Sequence, residues 1–283
     1  MRKEYSVERL CKTLGVSKSG YYDYMKRPQQ GPSERDLRDI KAIKRTYNKS
    51  KGTYGCKHIA GELKERGHII NHKRVARLMH ELNLASKIRK ARITRETRTN
   101  LVGHVYPNIL NRNFDVDSPN LIWVMDLTEI KAEGAKLFIS AIVDLFNREL
   151  IALAVGSRPI YELVEATINM AMNERDLQSM KGILFHTDQG SVFTSLQHHK
   201  KSKELGFTPR MSRKANCWDN AVIESIFSHF KTEFDFHYPL NNYAQAKIDL
   251  LAFRNYFNDE RSQKRLGYKT PKAFLEAHLL PQS

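Results

Sequence analysis

Asp126, Asp188 and Glu224 are the residues of this 283-residue chain whose type, flanks and spacing fit a chemical task. Asp126 follows the apolar run Leu121-Ile122-Trp123-Val124-Met125 and precedes Leu127-Thr128. Asp188 closes Phe185-His186-Thr187 and opens Gln189-Gly190-Ser191, where the glycine permits a tight turn. Glu224 ends Trp218-Asp219-Asn220-Ala221-Val222-Ile223-Glu224, with 35 residues between it and Asp188, and Lys231 lies seven further on. Two carboxylates at the ends of apolar strands and one on a helix can jointly hold two divalent metal ions against a phosphodiester. Each acid alone has a plainer reading. A charge in the Asp126 strand costs several kcal/mol if buried unpaired, so it takes either a metal or a neighbouring Lys or Arg. Asp188 can simply cap the next helix, and a helical Glu is usually solvated. The joint pattern carries the reading: metal-dependent phosphoryl transfer with Asp126, Asp188 and Glu224 as catalytic residues and metal ligands.

Those acids need a scaffold, and the apolar periodicity from about residue 114 supplies one. Leu121–Ile130, Leu137–Leu145 and Leu150–Val155 read as strands, with Asn147-Arg148-Glu149 as a hairpin turn. Asp144 is a fourth acid, expected to pair with Arg148 across the strand end. Tyr161 to about Asp176 reads as a helix with Leu163, Ala166, Thr167 and Met170 inward. Ile183-Leu184-Phe185 forms a short strand running to Asp188, Ser195–Leu205 a helix, and the segment from Gly206 to Met211 an edge strand. Helices follow from Asn220. Three strands, helix, strand, helix, strand, helix is the order of an RNase H-like α/β domain. On the helix bearing Glu224, Ile223, Ile226 and Phe230 should dock on the sheet. Asn220 and Lys231 fall close to Glu224 in azimuth at about 100° per residue.

The first hundred residues are built differently. They hold 26 Lys and Arg against 10 Asp and Glu, whereas residues 101–283 hold 21 of each, so the whole formal charge of +16 lies in the first third. A basic segment beside a neutral body reads as a DNA grip joined to a catalytic domain; a basic face kept for solubility is the plainer alternative. Residues 6–26 read as helix, turn, helix: Ser6 as cap, Val7, Leu10 and Leu14 as the stripe, Gly15 as terminator, Ser17 as the next cap. A second unit runs from Ser33 to Leu84. Its first helix places Leu37, Ile40, Ile43 and Tyr47 on one face, and its second turns Ile59 and Leu63 inward. Its last helix, capped by Asn71, buries Val75, Leu78, Met79 and Leu82 and offers His72, Lys73, Arg74, Arg77 and His80 outward. That matches a helix-turn-helix, whose second helix enters the major groove. The expected divisions are 1–30, 33–84, a basic linker 85–113 and a catalytic domain 114–283.

Cys11, Cys56 and Cys217 have neither disulfide nor zinc spacing, which fits a reducing cytosol. The amino terminus lacks an apolar signal region and no apolar run reaches about 18 residues, so a cytoplasmic, nucleoid-associated protein without membrane contact is expected.

Taken together, Trp123-Val124-Met125-Asp126-Leu127-Thr128, His186-Thr187-Asp188-Gln189-Gly190-Ser191 and Cys217-Trp218-Asp219-Asn220-Ala221 with Glu224 and Lys231 resemble the OrfB transposases of IS-3 family insertion sequences, of the IS-150 type. Asn258-Asp259-Glu260-Arg261 and Leu266-Gly267-Tyr268-Lys269-Thr270-Pro271 resemble that family's ending. The resemblance implies an integrase-type DDE core and amino-terminal helix-turn-helix segments, with Asp126, Asp188 and Glu224 carrying two Mg²⁺ ions, or Mn²⁺. It implies cleavage and strand transfer at the element's ends, with Lys231 on a phosphate near the scissile bond and Asn220 and Trp218 positioning the DNA end; Trp218 can equally be core. Double-stranded DNA, a homo-oligomer in the synaptic complex and the upstream-frame OrfA product are the implied partners. A DNA-binding regulator that does not cut, and a structure-specific nuclease, are the competing classes.

Overall fold

The computed structural model describes residues 6–26, 32–87, 105–107, 116–132, 135–212, 220–237 and 243–280. Most of the expected linker, and Trp218 and Cys217, therefore lie outside the described residues. The chain forms two compact units, Met1–Ala42 and Ile43–Ser283, each taken by itself below.

The first unit holds α1 (Val7–Leu14), α2 (Lys18–Lys26) and the start of α3 (Glu34–Lys49). Its punctuation is as the residue types dictate. The Ser6 hydroxyl accepts the Arg9 N–H at 3.3 Å, Gly15 ends α1 at φ 65°, and the Ser17 hydroxyl accepts the Gly20 N–H at 3.0 Å. The expected apolar stripe is not buried, however. Only Cys11 is enclosed in α1, Leu14 is 72% exposed, and α2 buries none of its side chains. Two short helices offer each other too little surface to enclose a stripe.

The second unit opens with a small helical bundle: the end of α3, α4 (Cys56–Glu65) and α5 (His72–Glu81). Ile43, Ile59, Leu63, Val75, Leu78 and Met79 form its core, while Leu37 of α3 is exposed and Leu82 half-buried, contrary to the expected faces. Asn71 caps α5 by accepting the Arg74 N–H at 2.9 Å. The bundle is clamped to the carboxy-terminal tail. His58 Nε2 lies 3.0 Å from the Ser262 hydroxyl, which donates to Glu62 at 3.2 Å. A Cβ on Gly61 would land inside the Tyr268 ring, so close approach demands glycine there.

The remainder is a five-stranded sheet in the order β3-β2-β1-β4-β5. The strands are β1 (Ile122–Ala132), β2 (Ala135–Asp144), β3 (Leu150–Gly156), β4 (Leu184–Thr187) and β5 (Thr208–Met211). β1 runs antiparallel to β2 and parallel to β4, so it lies at the centre. One face, with Val124, Ile139 and Val143, packs on α8 (Ala221–His237) and α9 (Tyr243–Asn255) through Ile223, Ile226, Phe230 and Phe253. The other, with Trp123, Met125 and Phe185, packs on α6 (Tyr161–Glu174) and on Phe193 and Phe207, which flank α7 (Leu196–Leu205). A π-helical turn, Tyr256–Glu260, continues α9, and α10 (Pro271–Leu279) closes the described chain.

The expected inward face of α6 needs correction. The buried face of α6 is Tyr161, Val164, Ile168 and Ala171 with Leu163 and Thr167, whereas Ala166 and Met170 are exposed. α6 is apolar around most of its girth, and only the sheet decides which side is enclosed. The buried Asp144 carboxylate accepts the N–H groups of Asn120 and Phe146 at 2.8 and 2.9 Å, and Arg175 lies 4.0 Å from it as an ion partner. Arg148, in a left-handed turn at φ 58°, still feels Asp144, which raises its pKa against the lowering by burial.

Candidate active site

Sheet register brings the first two acids together. Val124 pairs with His186 across the parallel β1/β4 ladder, and Asp126 and Asp188 each lie two residues further along. Asp126 lies on β1 and Asp188 in the residue just after β4, so the two acids follow adjacent parallel strands. Alternation points Asp126 to the same face as Val124, the face that α8 covers.

Local donors fix both aspartates. Asp126 Oδ1 accepts the Leu127 N–H at 2.7 Å, and Asp188 Oδ1 accepts the Gly190 N–H at 2.8 Å. A Cβ on Gly190 would lie 2.9 Å from Asp188 Oδ1, so a side chain there would push on the carboxylate. Gln189 donates to the Ser212 carbonyl at 3.0 Å and ties the loop to the end of β5.

The third acid arrives on α8. Asn220 stands just before its first residue, buried, and donates from Nδ2 to Asp126 Oδ2 at 3.4 Å. Asn220 Oδ1 is buried and accepts no hydrogen bond among the described residues. The amide cannot simply turn round, because Oδ1 would then face the aspartate oxygen. Glu224, one turn on, lies on the exposed flank, and Lys231 is half-buried on the same stripe.

The electrostatics show how close these groups are. Burial pushes Asp126 up to about 8, with Asp188 and Glu224 adding to the rise, while the Leu127 N–H and Lys231 oppose it. Burial also raises Asp188 against the Gly190 N–H, and raises Glu224 with help from Asp188. Three carboxylates resist ionisation together, and a buried amide oxygen beside them lacks a partner. That donor set is all hard oxygen and fits a divalent cation such as magnesium. Among the described residues, no three His, Cys, Asp or Glu side chains stand close enough to hold a metal ion as they are. Asp126 and Asp188 are each held by a backbone N–H, while Glu224 is exposed.

Of the other candidates, Lys73, Arg74 and Arg77 lie on α5, and the Arg77 charge is met by Glu81 at 2.6 Å. Gly190, expected to permit a tight turn, also leaves room beside Asp188 Oδ1. The Arg261–Glu233 pair was not foreseen: Arg261 is buried and donates three hydrogen bonds of 2.7–3.0 Å to Glu233 of α8. The motif around Arg261 was visible, but nothing in it named Glu233.

A central parallel strand pair leading to two aspartates, with an acid-bearing helix packed across it, is an architecture of the integrase class. Family models and curated relatives point the same way. The Integrase core domain family matches residues 116–217, a second family of the same description matches 205–271, and the HTH-like domain family matches 34–92. The Insertion element IS600 uncharacterized 31 kDa protein of Shigella sonnei is 35% identical over 95% of this chain and 98% of its own length. The putative transposase InsK for insertion sequence element IS150 of Escherichia coli (strain K12) is 32% identical over 100% and 98%. Among solved structures, a simian T-cell lymphotropic virus intasome in complex with PP2A regulatory subunit B56 gamma aligns at TM-score 0.49 and 16% identity over 78% of this chain and 72% of that chain. The chain belongs to the insertion-sequence transposases with an RNase H-like integrase core, of the IS-3 family OrfB type, whose function is DNA transposition and integration.

Proposed function

We propose that this transposase cuts and joins DNA strands at the ends of its element by a metal-dependent reaction centred on Asp126, Asp188 and Glu224. The observation that carries the reading is that Asp126 and Asp188 each lie two residues beyond the paired Val124 and His186 of adjacent parallel strands, with Asn220 reaching Asp126 from the start of the Glu224 helix. Two Mg²⁺ ions, with Mn²⁺ as a substitute, would supply an activated water or DNA 3′-OH and stabilise the leaving oxygen. Asp126 and Asp188 would hold their oxygens in place through the Leu127 and Gly190 amides. Glu224 would complete the ligand set from the helix. Asn220 orients Asp126, and Lys231 and Trp218 are assigned to the DNA end. No protein nucleophile is required.

The remaining assignments extend the same reading. Residues 1–30 and 33–84 are the DNA-reading segments, 85–113 the linker and 114–283 the catalytic domain. Lys73, Arg74 and Arg77 would contact the terminal inverted repeats through α5. Synapsis of two ends calls for a homo-oligomer, with the OrfA product as a further partner. None of the described helices is long and apolar enough to cross a membrane, and the bacterial cytoplasm at the nucleoid is the proposed place of action.

The test is Asp188→Ala, assayed for Mg²⁺-dependent nicking of DNA bearing the element's ends. Cleavage should vanish while DNA binding persists; retained cleavage would remove Asp188 from the site. One observation favours the regulator that binds without cutting, namely that the acids do not close on a point as they stand. A wild-type protein that binds ends in a salt-dependent way but never nicks them in Mg²⁺ or Mn²⁺ would establish that reading.

A further inference from the structure

Glu224 is the one acid of the three carried by a helix, so its place depends on how α8 is held. The grip comes from the tail. Glu233 lies nine residues beyond Glu224, about 13.5 Å along the helix and about 180° around it. Arg261 holds that opposite side with three hydrogen bonds, and the Tyr256 hydroxyl lies 3.4 Å from the same carboxylate. All three side chains are buried.

The next tail residue grips a different element. The backbone is extended at Arg261, φ −80° and ψ 110°, so Ser262 faces the other way. Its hydroxyl donates to Glu62 of α4 at 3.2 Å and lies 3.0 Å from His58 Nε2. The His58 ring stacks on Tyr54 with 3.9 Å between centroids and meets the Tyr268 ring edge-on at 5.7 Å. Tyr268 in turn fills the space that a side chain at Gly61 would need. Glu62 and Ser262 are buried, so their bond is shielded from water. Upstream, Asn258 bonds both ways with the Leu150 backbone at 2.9 Å and ties the tail to β3. A shift of α4 is therefore delivered to the backbone that carries Arg261. A roll of α8 by about 20° would move a carboxylate about 5–6 Å from the helix axis by about 2 Å. A displacement of about 1 Å is enough to cost a hundredfold in rate.

We propose that Arg261 and Ser262 are positioning residues through which the seat of the helical bundle on the tail sets the placement of Glu224. The bundle that carries Lys73 and Arg74 is then mechanically part of the acid site. The inference rests on the reading of Glu224 as a metal ligand and adds what places it.

The test unseats the bundle without touching the acids or α5. Gly61→Ala suits the interior of α4 better than glycine does, but it drives a methyl group into the Tyr268 ring. Gly61→Ala/Tyr268→Ala removes that obstruction, and Ser262→Ala breaks the bridge with less disturbance. Mn²⁺ affinity of the full chain is read by electron paramagnetic resonance, with Glu224 intact and as Glu224→Gln. Gly61→Ala should weaken Mn²⁺ binding about tenfold and Ser262→Ala by a few-fold. The Gly61→Ala/Tyr268→Ala chain should return to within about twofold of wild type, and none of these losses should appear in the Glu224→Gln background. Hydrogen exchange gives a readout that needs no metal: amides in the first turns of α8 should exchange faster in Gly61→Ala and recover when Tyr268→Ala is added. The proposal is overturned if exchange in α8 stays at the wild-type rate, if Mn²⁺ affinity does not fall, or if it falls as far in the Glu224→Gln background. Glu224→Gln that by itself leaves Mn²⁺ binding unchanged would instead remove Glu224 from the ligand set. That failure of the catalytic reading is told apart by α8 exchange that still responds to Gly61→Ala.

Discussion

α8 carries two clusters of buried charge that have been settled in opposite ways. Near its carboxy-terminal half, Glu233 receives three hydrogen bonds from Arg261, with the Tyr256 hydroxyl 3.4 Å away. Near its start, Asp126, Asp188 and Glu224 share one neighbourhood with the Lys231 ammonium as the opposing charge, and all three are pushed up. The first cluster is balanced and holds the helix to the tail. Among the described residues the second sets Lys231 against three acids, an imbalance that costs stability and that a divalent cation can meet. One helix thus serves as strut at one end and as ligand carrier at the other.

The largest effect should come from the unbalanced cluster. Asp126→Asn is expected to lower strand cleavage at least about a thousandfold, about 4 kcal/mol in the barrier, with DNA affinity in EDTA within a few-fold of wild type. Single-turnover nicking checks it, and near-normal cleavage would show that the cluster is not the reaction centre. Next comes the balanced cluster. Arg261→Met strands a buried carboxylate and should cost about 3–5 kcal/mol in denaturant unfolding. Adding Glu233→Met should recover most of that loss, and a double variant as unstable as the single one would deny the pairing.

A smaller effect sharpens the geometry at Asp188. Gly190→Ala places a Cβ 2.9 Å from Asp188 Oδ1, so cleavage should fall about ten- to a hundredfold, or about 1.4–2.7 kcal/mol, while the thermal midpoint stays close to wild type. The smallest is a pH effect on stability. Asp126 is raised from 3.8 to about 8. Its protonated form is favoured by the fold, so that contribution is complete below about pH 4 and is lost as pH rises through 8. In EDTA the wild-type melting temperature should therefore drop by a few degrees between pH 5 and 8. The drop should be shallower in Asp126→Asn and reversed by Mg²⁺ in wild type but not in the variant. An Asp126→Asn melting curve that falls as steeply with pH as wild type would show that the burden lies elsewhere.

The elements around the acids were legible because each has a strong local signature. β1, β2 and β3 are β-branched runs, Asn71 and Ser195 cap helices with side-chain oxygens at 2.9 and 3.2 Å, and Ile223, Ile226 and Phe230 dock as their spacing requires. Legibility failed where local pattern was degenerate. The α6 sequence supports several apolar faces, and the α1 stripe had no partner large enough to bury it. The Asp144 carboxylate also meets Arg175, 31 positions away and just past α6, a contact no local pattern announces.

By itself the sequence determined which acids could act together, that they belong to strand ends and a helix, and that the basic charge lies in the first third. Those are matters of residue type and period, which a chain carries wherever it folds. Only the tertiary structure decided that Asp126 and Asp188 follow neighbouring parallel strands, that Asn220 reaches across 94 positions to one of them, and that Arg261 rather than a metal answers Glu233. Strand register and helix docking are set by packing between distant segments, and no local pattern encodes a distance between residues that meet only once the sheet has formed.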